Sequence, residues 1–216
     1  MTRIITIPAI LLLGFSSLVS EIKQPTTHIH SAINNKELEL VRSGEIVFRE
    51  LTTDEKPGLT YEVIGTMNAS LDVLLDVLMD YEKYGEFMPS VSRVEIVEQK
   101  GDEAILNFIL ELPMGFSKRH RIHIALTDPG PQGHLLLWDL VEWPGLTPDE
   151  TIKDSEGYWM IQEEAPNKLL VLYHVYTDPG SIPYGLKWLV EPLSRSRISE
   201  AFLETRDRAE RFFAKH

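Results

Sequence analysis

Histidines carry most of the candidate chemistry in this chain, because the 216 residues include seven of them and no cysteine. Without cysteine there is no thiolate nucleophile, no disulfide and no cysteine-type zinc site. Acid–base chemistry or polar ligand contact therefore falls to His, Asp, Glu, Tyr and Arg. His28 and His30 are spaced to share a metal ion, or they belong to a polar N-terminal segment. His120 and His123 stand three apart on a predicted strand, hence on opposite faces, and do not form a joint site. His174 lies in the apolar run Leu169 to Tyr176. A buried imidazole needs a hydrogen-bond partner, so His174 is either a satisfied structural histidine or a polar contact to a ligand head group. Trp138, Tyr158, Trp159 and Tyr176 have large amphipathic rings suited to a pocket wall or to ordinary core packing. No Gly-x-Ser-x-Gly, phosphate-cradling glycine loop or His-Glu-x-x-His occurs, and no cofactor, metal set or catalytic residue is assigned.

These side chains are useful only where secondary structure places them. Glu45 to Leu51 and Leu59 to Met67 read as two strands. Ser70 then caps an apolar helix through Met79, with Tyr81, Tyr84, Phe87 and Met88 continuing it or forming a second short one. Six strands follow: Val91 to Gln99, Glu103 to Leu112, Lys118 to Thr127, His134 to Trp143, Glu156 to Glu163 and Lys168 to Thr177. The chain closes with a helix from Gly185 to Phe213, roughly 43 Å long at 1.5 Å per residue, with a bend expected at Pro192. This order predicts an α+β architecture in which a curved antiparallel sheet grips the last helix. Alternation identifies a dry face: Leu106, Phe108, Leu110 and Leu112 oppose Asn107 and Glu111, and Ile122 and Ile124 oppose Arg121 and His123.

Met1 to Ser20, with Arg3 and an apolar stretch ending in small residues, reads as a secretory signal cut after Ser20, with an uncleaved N-terminal anchor as the alternative. Residues 21–44 read as a tail or short helix, and 45–216 as one domain. The formal charge is −12, and loss of Arg3 leaves 20 basic against 33 acidic residues, or −13. A surface this acidic argues against a nucleic-acid partner. The last helix departs from that balance. From Gly185 on, Lys187, Arg195, Arg197, Arg206, Arg208, Arg211 and Lys215 stand against Glu191, Glu200, Glu204, Asp207 and Glu210, seven less five giving +2. These charges suit ion pairs four residues apart, such as Glu204 with Arg208 and Asp207 with Arg211, or contact with an anionic bilayer.

Asp178, Pro179 and Gly180, then Ile182 and Pro183, Trp188-Leu189-Val190, and Leu203 with Arg206 resemble the final strand and lid helix of START (StAR-related lipid transfer) domains. Ser181 stands where many members carry a second glycine. Asp80 to Tyr84, Phe87-Met88-Pro89 and Gly157-x-Trp159 are similar to the corresponding passages of the wider polyketide-cyclase and START-like superfamily. The resemblance extends from Glu45 to Phe213 and implies a helix-grip fold with an apolar cavity between sheet and helix.

It also implies which residues line that cavity. From the sheet these are Phe108, Leu110, Ile122, Ile124, Trp138 and Trp159, with His174 and Tyr176. Phe116 is placed at the mouth, and Ile182, Leu186, Leu189, Leu193 and Phe202 come from the turn and helix. The expected function is an exported carrier of a lipid or other hydrophobic molecule, gated by the last helix at a membrane surface. The alternatives are an aromatase/cyclase-like enzyme using His174, Tyr176 or Arg121 for proton transfer, and a partner-binding or assembly module.

Overall fold

In the computed structural model the described residues are 28–51, 57–127, 133–182 and 187–215. The predicted signal segment and Leu186 lie outside them. For Leu189 and Leu193 only the helical backbone is described.

The chain forms α1 (Ile29–Ala32), α2 (Asn35–Arg42), β1 (Val47–Glu50), β2 (Leu59–Met67), α3 (Leu71–Met79), α4 (Tyr84–Phe87), β3 (Val91–Lys100), β4 (Glu103–Leu112), β5 (Phe116–Thr127), β6 (His134–Val141), β7 (Asp154–Ala165), β8 (Lys168–Asp178) and α5 (Lys187–Phe213). One 3-10 turn, Tyr81–Lys83, joins α3 to α4, and another, Pro113–Gly115, joins β4 to β5. Local chemistry sets the helix starts. Ser70 accepts a hydrogen bond from the Val73 amide, and Asn34 and Glu37 bond each other's backbone amides in a capping box.

All eight strands form one antiparallel sheet in the order β1-β2-β8-β7-β6-β5-β4-β3. The run from β3 to β8 is a meander, and β8 then pairs with β2 over its full length, from Leu59↔Thr177 to Met67↔Leu169. This closure carries the first hairpin to the far edge. The sheet curves, and its inner face meets α5, as a helix-grip fold requires. Phe202 and Ala209 of α5 join Tyr61, Val63, Leu106, Ile122, Trp159 and other inner-face side chains, together with α3 and α4, in one buried cluster.

The outer face is also covered. Ile29, Ile33 and Val41 of the N-terminal segment pack on Ile64, Leu135, Leu137, Met160, Leu170 and Leu172. Residues 28–44 are therefore two short helices docked on the sheet, where the sequence suggested a tail or one helix. The segment lacks a long apolar stripe, and Ile29, Ile33 and Val41, with Leu38 and Leu40 beside them, supply its apolar contact with the sheet.

The C-terminal helix runs unbroken through Pro192. Its cations differ from expectation. Arg208 pairs with Glu86 at 3.2 Å and lies over the Phe87 and Phe212 rings, instead of pairing with Glu204. Arg211 donates to the Asp207 carbonyl oxygen at 3.1 Å rather than to its carboxylate. Arg195 pairs with Glu50 at 2.5 Å, and Arg206 donates to the Gly44 carbonyl at 3.1 Å. Across this stretch the charges tie the helix to the body. Among the described residues no helix is long and apolar enough to cross a membrane.

Candidate functional site on the inner face of the sheet

Register decides which side chains share the inner face. Phe108 pairs with His120, Ile124 with Trp138, Trp138 with Gly157, and Trp159 with Tyr173. Partners in a ladder point to one side. Phe108, Ile122, Ile124, Trp138, Trp159 and Phe202 thus meet in one cluster, and Leu110 continues the row toward the β4 end.

Aromatic rings organise the middle of this face. Trp159 stacks on Tyr173 at 4.1 Å and on Phe202 of α5 at 5.9 Å, and Trp138 lies 5.8 Å from Tyr173. Gly157 makes room for the Trp138 indole. A Cβ there would collide with the indole and with the His174 carbonyl oxygen. Gly157→Ala is expected to destabilise the protein by about 2 kcal/mol through overpacking. Calorimetry should show Tm lower by roughly 4–8 °C. An unchanged Tm would mean that the indole can retreat.

A second row runs toward α4. His120 stacks on Phe108 at 5.1 Å, Phe108 meets Tyr84 edge-on at 6.1 Å, and Tyr84 meets Phe87 at 5.6 Å. The Tyr84 hydroxyl donates to the Leu78 carbonyl at 2.5 Å. His120 is 8% exposed, and its Nδ1 has no hydrogen-bond partner among the described residues. Burial lowers its pKa to about 4, so the ring is neutral near pH 7. Burial raises the Tyr81 hydroxyl to about 12, with the Asp102 charge adding to the effect, and pushes Tyr84 and Tyr173 well up. The inner face is therefore largely apolar and aromatic, with neutral polar tips at His120 and the tyrosines and one cation, Lys118, at the β5 end. Phe108, Leu110, Leu126 and Tyr173 remain only partly buried on it.

His174 and Tyr176 belong elsewhere. Along β8 the inner positions are Leu169, Val171, Tyr173 and Val175, and the even-numbered residues point outward. His174 stacks on Tyr158 at 4.9 Å, with Nδ1 3.1 Å from Glu62 Oε1, and Tyr176 shares its side of the strand. Grouping them with the inner-face residues is corrected by the period of two. The same alternation gave a signal for His120, in phase with Ile122 and Ile124. His123 faces outward, 3.3 Å from Asp139.

Loops gather at one end of the strands. A cavity of about 740 Å³ opens there, lined by Leu140, Trp143, Leu146, Ile152, Asp178 and Gly180 among others. The buried Lys118 ammonium donates to the Asp149 and Thr151 carbonyls, each at 2.9 Å, pinning the β6–β7 loop to β5. Gly180 has φ +69°, and its amide donates to Asp178 Oδ1 at 2.9 Å, which turns the chain after β8. Ile182 is half-buried just beyond. Phe116 stands apart at the β4–β5 tip, 39% exposed beside Met114 at 66%.

Residues 67–201 match the family model described as polyketide cyclase/dehydrase and lipid transport. No curated protein matches the chain by sequence. Among solved structures, the chain resembles a STAR-related lipid transfer protein from Xanthomonas axonopodis at 18% identity and TM-score 0.67, covering 76% of this chain and 93% of that one. It also resembles human StAR-related lipid transfer protein 5, at 13% identity and TM-score 0.64, covering 77% and 83%. A third similar fold is the Zhui aromatase/cyclase of a Streptomyces species, at 15% identity and TM-score 0.57, covering 76% and 95%.

Proposed function

The chain belongs to the polyketide cyclase/dehydrase and lipid transport family, and from that membership we propose that it binds one lipid or similarly hydrophobic molecule between its sheet and α5, for transfer or sequestration. The observation that carries this reading is the aromatic inner face, whose Phe108, Leu110, Leu126 and Tyr173 stay partly exposed despite three covering helices. Each methylene moved from water onto such a surface contributes roughly 0.8 kcal/mol, so a chain of about fourteen carbons gains on the order of 11 kcal/mol before ordering costs. A ligand held that firmly leaves slowly into water. Delivery then needs a gate, and in this reading α5 is its moving part, with the Pro179-Gly180 turn as the hinge.

The Met1 to Ser20 segment directs export, and the exposed Met114 and Phe116 make the membrane encounter. Replacing both with serine is expected to weaken association with mixed neutral and anionic phospholipid vesicles about tenfold, through lost apolar insertion. Sedimentation of vesicles with the protein checks this. Equal association would remove the β4–β5 tip from the reading.

Three side chains invoked for a cyclase, His174, Tyr176 and Arg121, occupy outward positions in their strands. Arg121 donates to Asn107 Oδ1 at 2.8 Å and lies over the Trp143 ring. Proton transfer on the inner face would fall instead to His120 and the tyrosines. The deciding experiment is gentle purification of the native chain followed by native and denaturing mass spectrometry. A stoichiometric hydrophobic molecule, recovered unchanged after incubation, supports the carrier. Conversion of it would identify an enzyme, and an empty chain unable to take lipid from vesicles would overturn the binding reading.

A further inference from the structure

His120 is a polar group in the wrong medium for a group with no work to do. Its neighbours along the inner face of β5 are Ile122 and Ile124 on one side and Lys118 on the other, and its ring lies flat on Phe108. Nδ1 is shielded from solvent and unpaired among the described residues. Leaving such an atom unsatisfied costs about 1–3 kcal/mol, whereas a phenylalanine would pack against Phe108 without that penalty. Its position along the strand is also informative. The β5–β6 ladder ends at Arg121↔Val141, so His120 sits just past it, at the end where the β6–β7 loop is pinned by Lys118. From there the apolar rows formed by Ile122, Ile124, Trp138 and Trp159 lead into the sheet.

We propose that His120 Nδ1 is the polar anchor of the binding face, and that the molecule held there carries an uncharged hydroxyl or carbonyl at the end nearest the β6–β7 loop. This rests on the reading of the inner face as the ligand site. A hydroxyl pairs with either tautomer of the imidazole, as acceptor or donor, and a carbonyl pairs with the Nδ1–H form. A carboxylate or phosphate would have to shed its water beside a neutral ring. The nearest cation on the same face, Lys118, directs two of its three N–H groups at loop carbonyls, which holds its ammonium against the β6–β7 loop. The anchor therefore selects amphiphiles with a small neutral head and a long apolar body.

The test uses the full chain with three probes of equal length: 1-dodecanol, dodecane and dodecanoate. Affinities are measured for the wild type, His120→Phe and His120→Gln, and the histidine ring nitrogens are followed by long-range proton–nitrogen NMR in the wild type. His120→Phe is expected to weaken dodecanol about five- to tenfold and dodecane less than twofold. His120→Gln should restore most of the loss, and dodecanol should shift the His120 Nδ1 resonance where dodecane does not. Equal losses for dodecanol and dodecane, or an Nδ1 resonance indifferent to dodecanol, would overturn the anchor while leaving hydrophobic binding intact. Tighter binding of dodecanoate than of dodecanol by the wild type would overturn the preference for a neutral head. Failure of all three probes to bind would overturn the hydrophobic-ligand reading and the anchor with it. Should His120→Phe not fold, the wild-type resonances and the dodecanoate comparison decide.

Discussion

Phe202→Ala is expected to lower the stability of the protein by about 4 kcal/mol, the scale of a fully buried aromatic removed from a core that cannot collapse around the gap. Phe202 has no exposed surface, stacks on Trp159 and lies over Gly65 of β2. A Cβ at Gly65 would stand 2.8 Å from the Phe202 ring, so helix and strand already approach as closely as the missing side chain permits. Among the described residues, Phe202 is the one large α5 side chain fully buried in the core, with Ile198 and Phe213 only partly buried beside it. Ala201 and Ala209 are small, and the buried Thr205 hydroxyl donates to the Ala201 carbonyl within the helix. Urea denaturation measures the loss, and a value under about 1.5 kcal/mol would show that the latches at the helix rim hold it unaided. Gly65→Ala attacks the same contact from the strand. Combined with Phe202→Ala it should cost clearly less than the two separate losses together, because the shortened side chain makes room for the added methyl.

A comparable loss, about 3 kcal/mol, is expected from Arg49→Ala, on the opposite face. Arg49 bridges α2, β1 and β2. It bonds Glu37 at 2.7 Å, Glu62 at 3.3 Å and the Ala32 carbonyl at 2.8 Å. Removing it strands two carboxylates, one of them on the largely buried Glu62. The figure stays below the full cost of an orphaned buried charge because His174 still faces Glu62 and the guanidinium site is a fifth exposed. The loss should depend on pH. Burial works to raise the Glu62 pKa, but hydrogen bonding and charge from His174 and Arg49 outweigh it, and the carboxyl ends below 4.5. Glu37 is held low chiefly by its hydrogen bond to Arg49. A carboxyl lowered on folding stabilises the fold above its unfolded value and loses that contribution as pH falls through the folded one. Wild-type stability should therefore drop below about pH 4.5, and Arg49→Ala should flatten that limb. Urea titrations at pH 7 and pH 4 check both statements; parallel curves would mean that the Arg49 cluster does not hold the N-terminal helices to the sheet.

The latches also bear on where a gate can open. Beyond Arg195 the helix is tied to β1 by Glu50, to α4 by Glu86 and to the end of β2 by Glu210, which accepts from the Asn68 amide at 2.8 Å. The β6–β7 loop is held by Lys118. In the proposed carrier these ties hold α5 from Arg195 onward, and the β6–β7 loop, against the body.

The sequence alone was sufficient for the eight strands, α3 and α5, their order, and the dry face of β4 and β5. Periods of two and 3.6 are properties of the local backbone, and burial of one face writes them directly into the order of residues. Tertiary structure decided the partners. His174 meets Glu62 across 112 positions, Asn68 meets Glu210 across 142, and Arg208 meets Glu86 across 122. Those distances along the chain close only because β8 returns to pair with β2 and α5 then crosses the inner face. His120 stands between the two cases. Alternation set its direction, but only the packed Phe108 ring and the missing partner at Nδ1 distinguished it from an ordinary inward side chain, because whether a buried polar atom is satisfied depends on every element around it and not on its own strand.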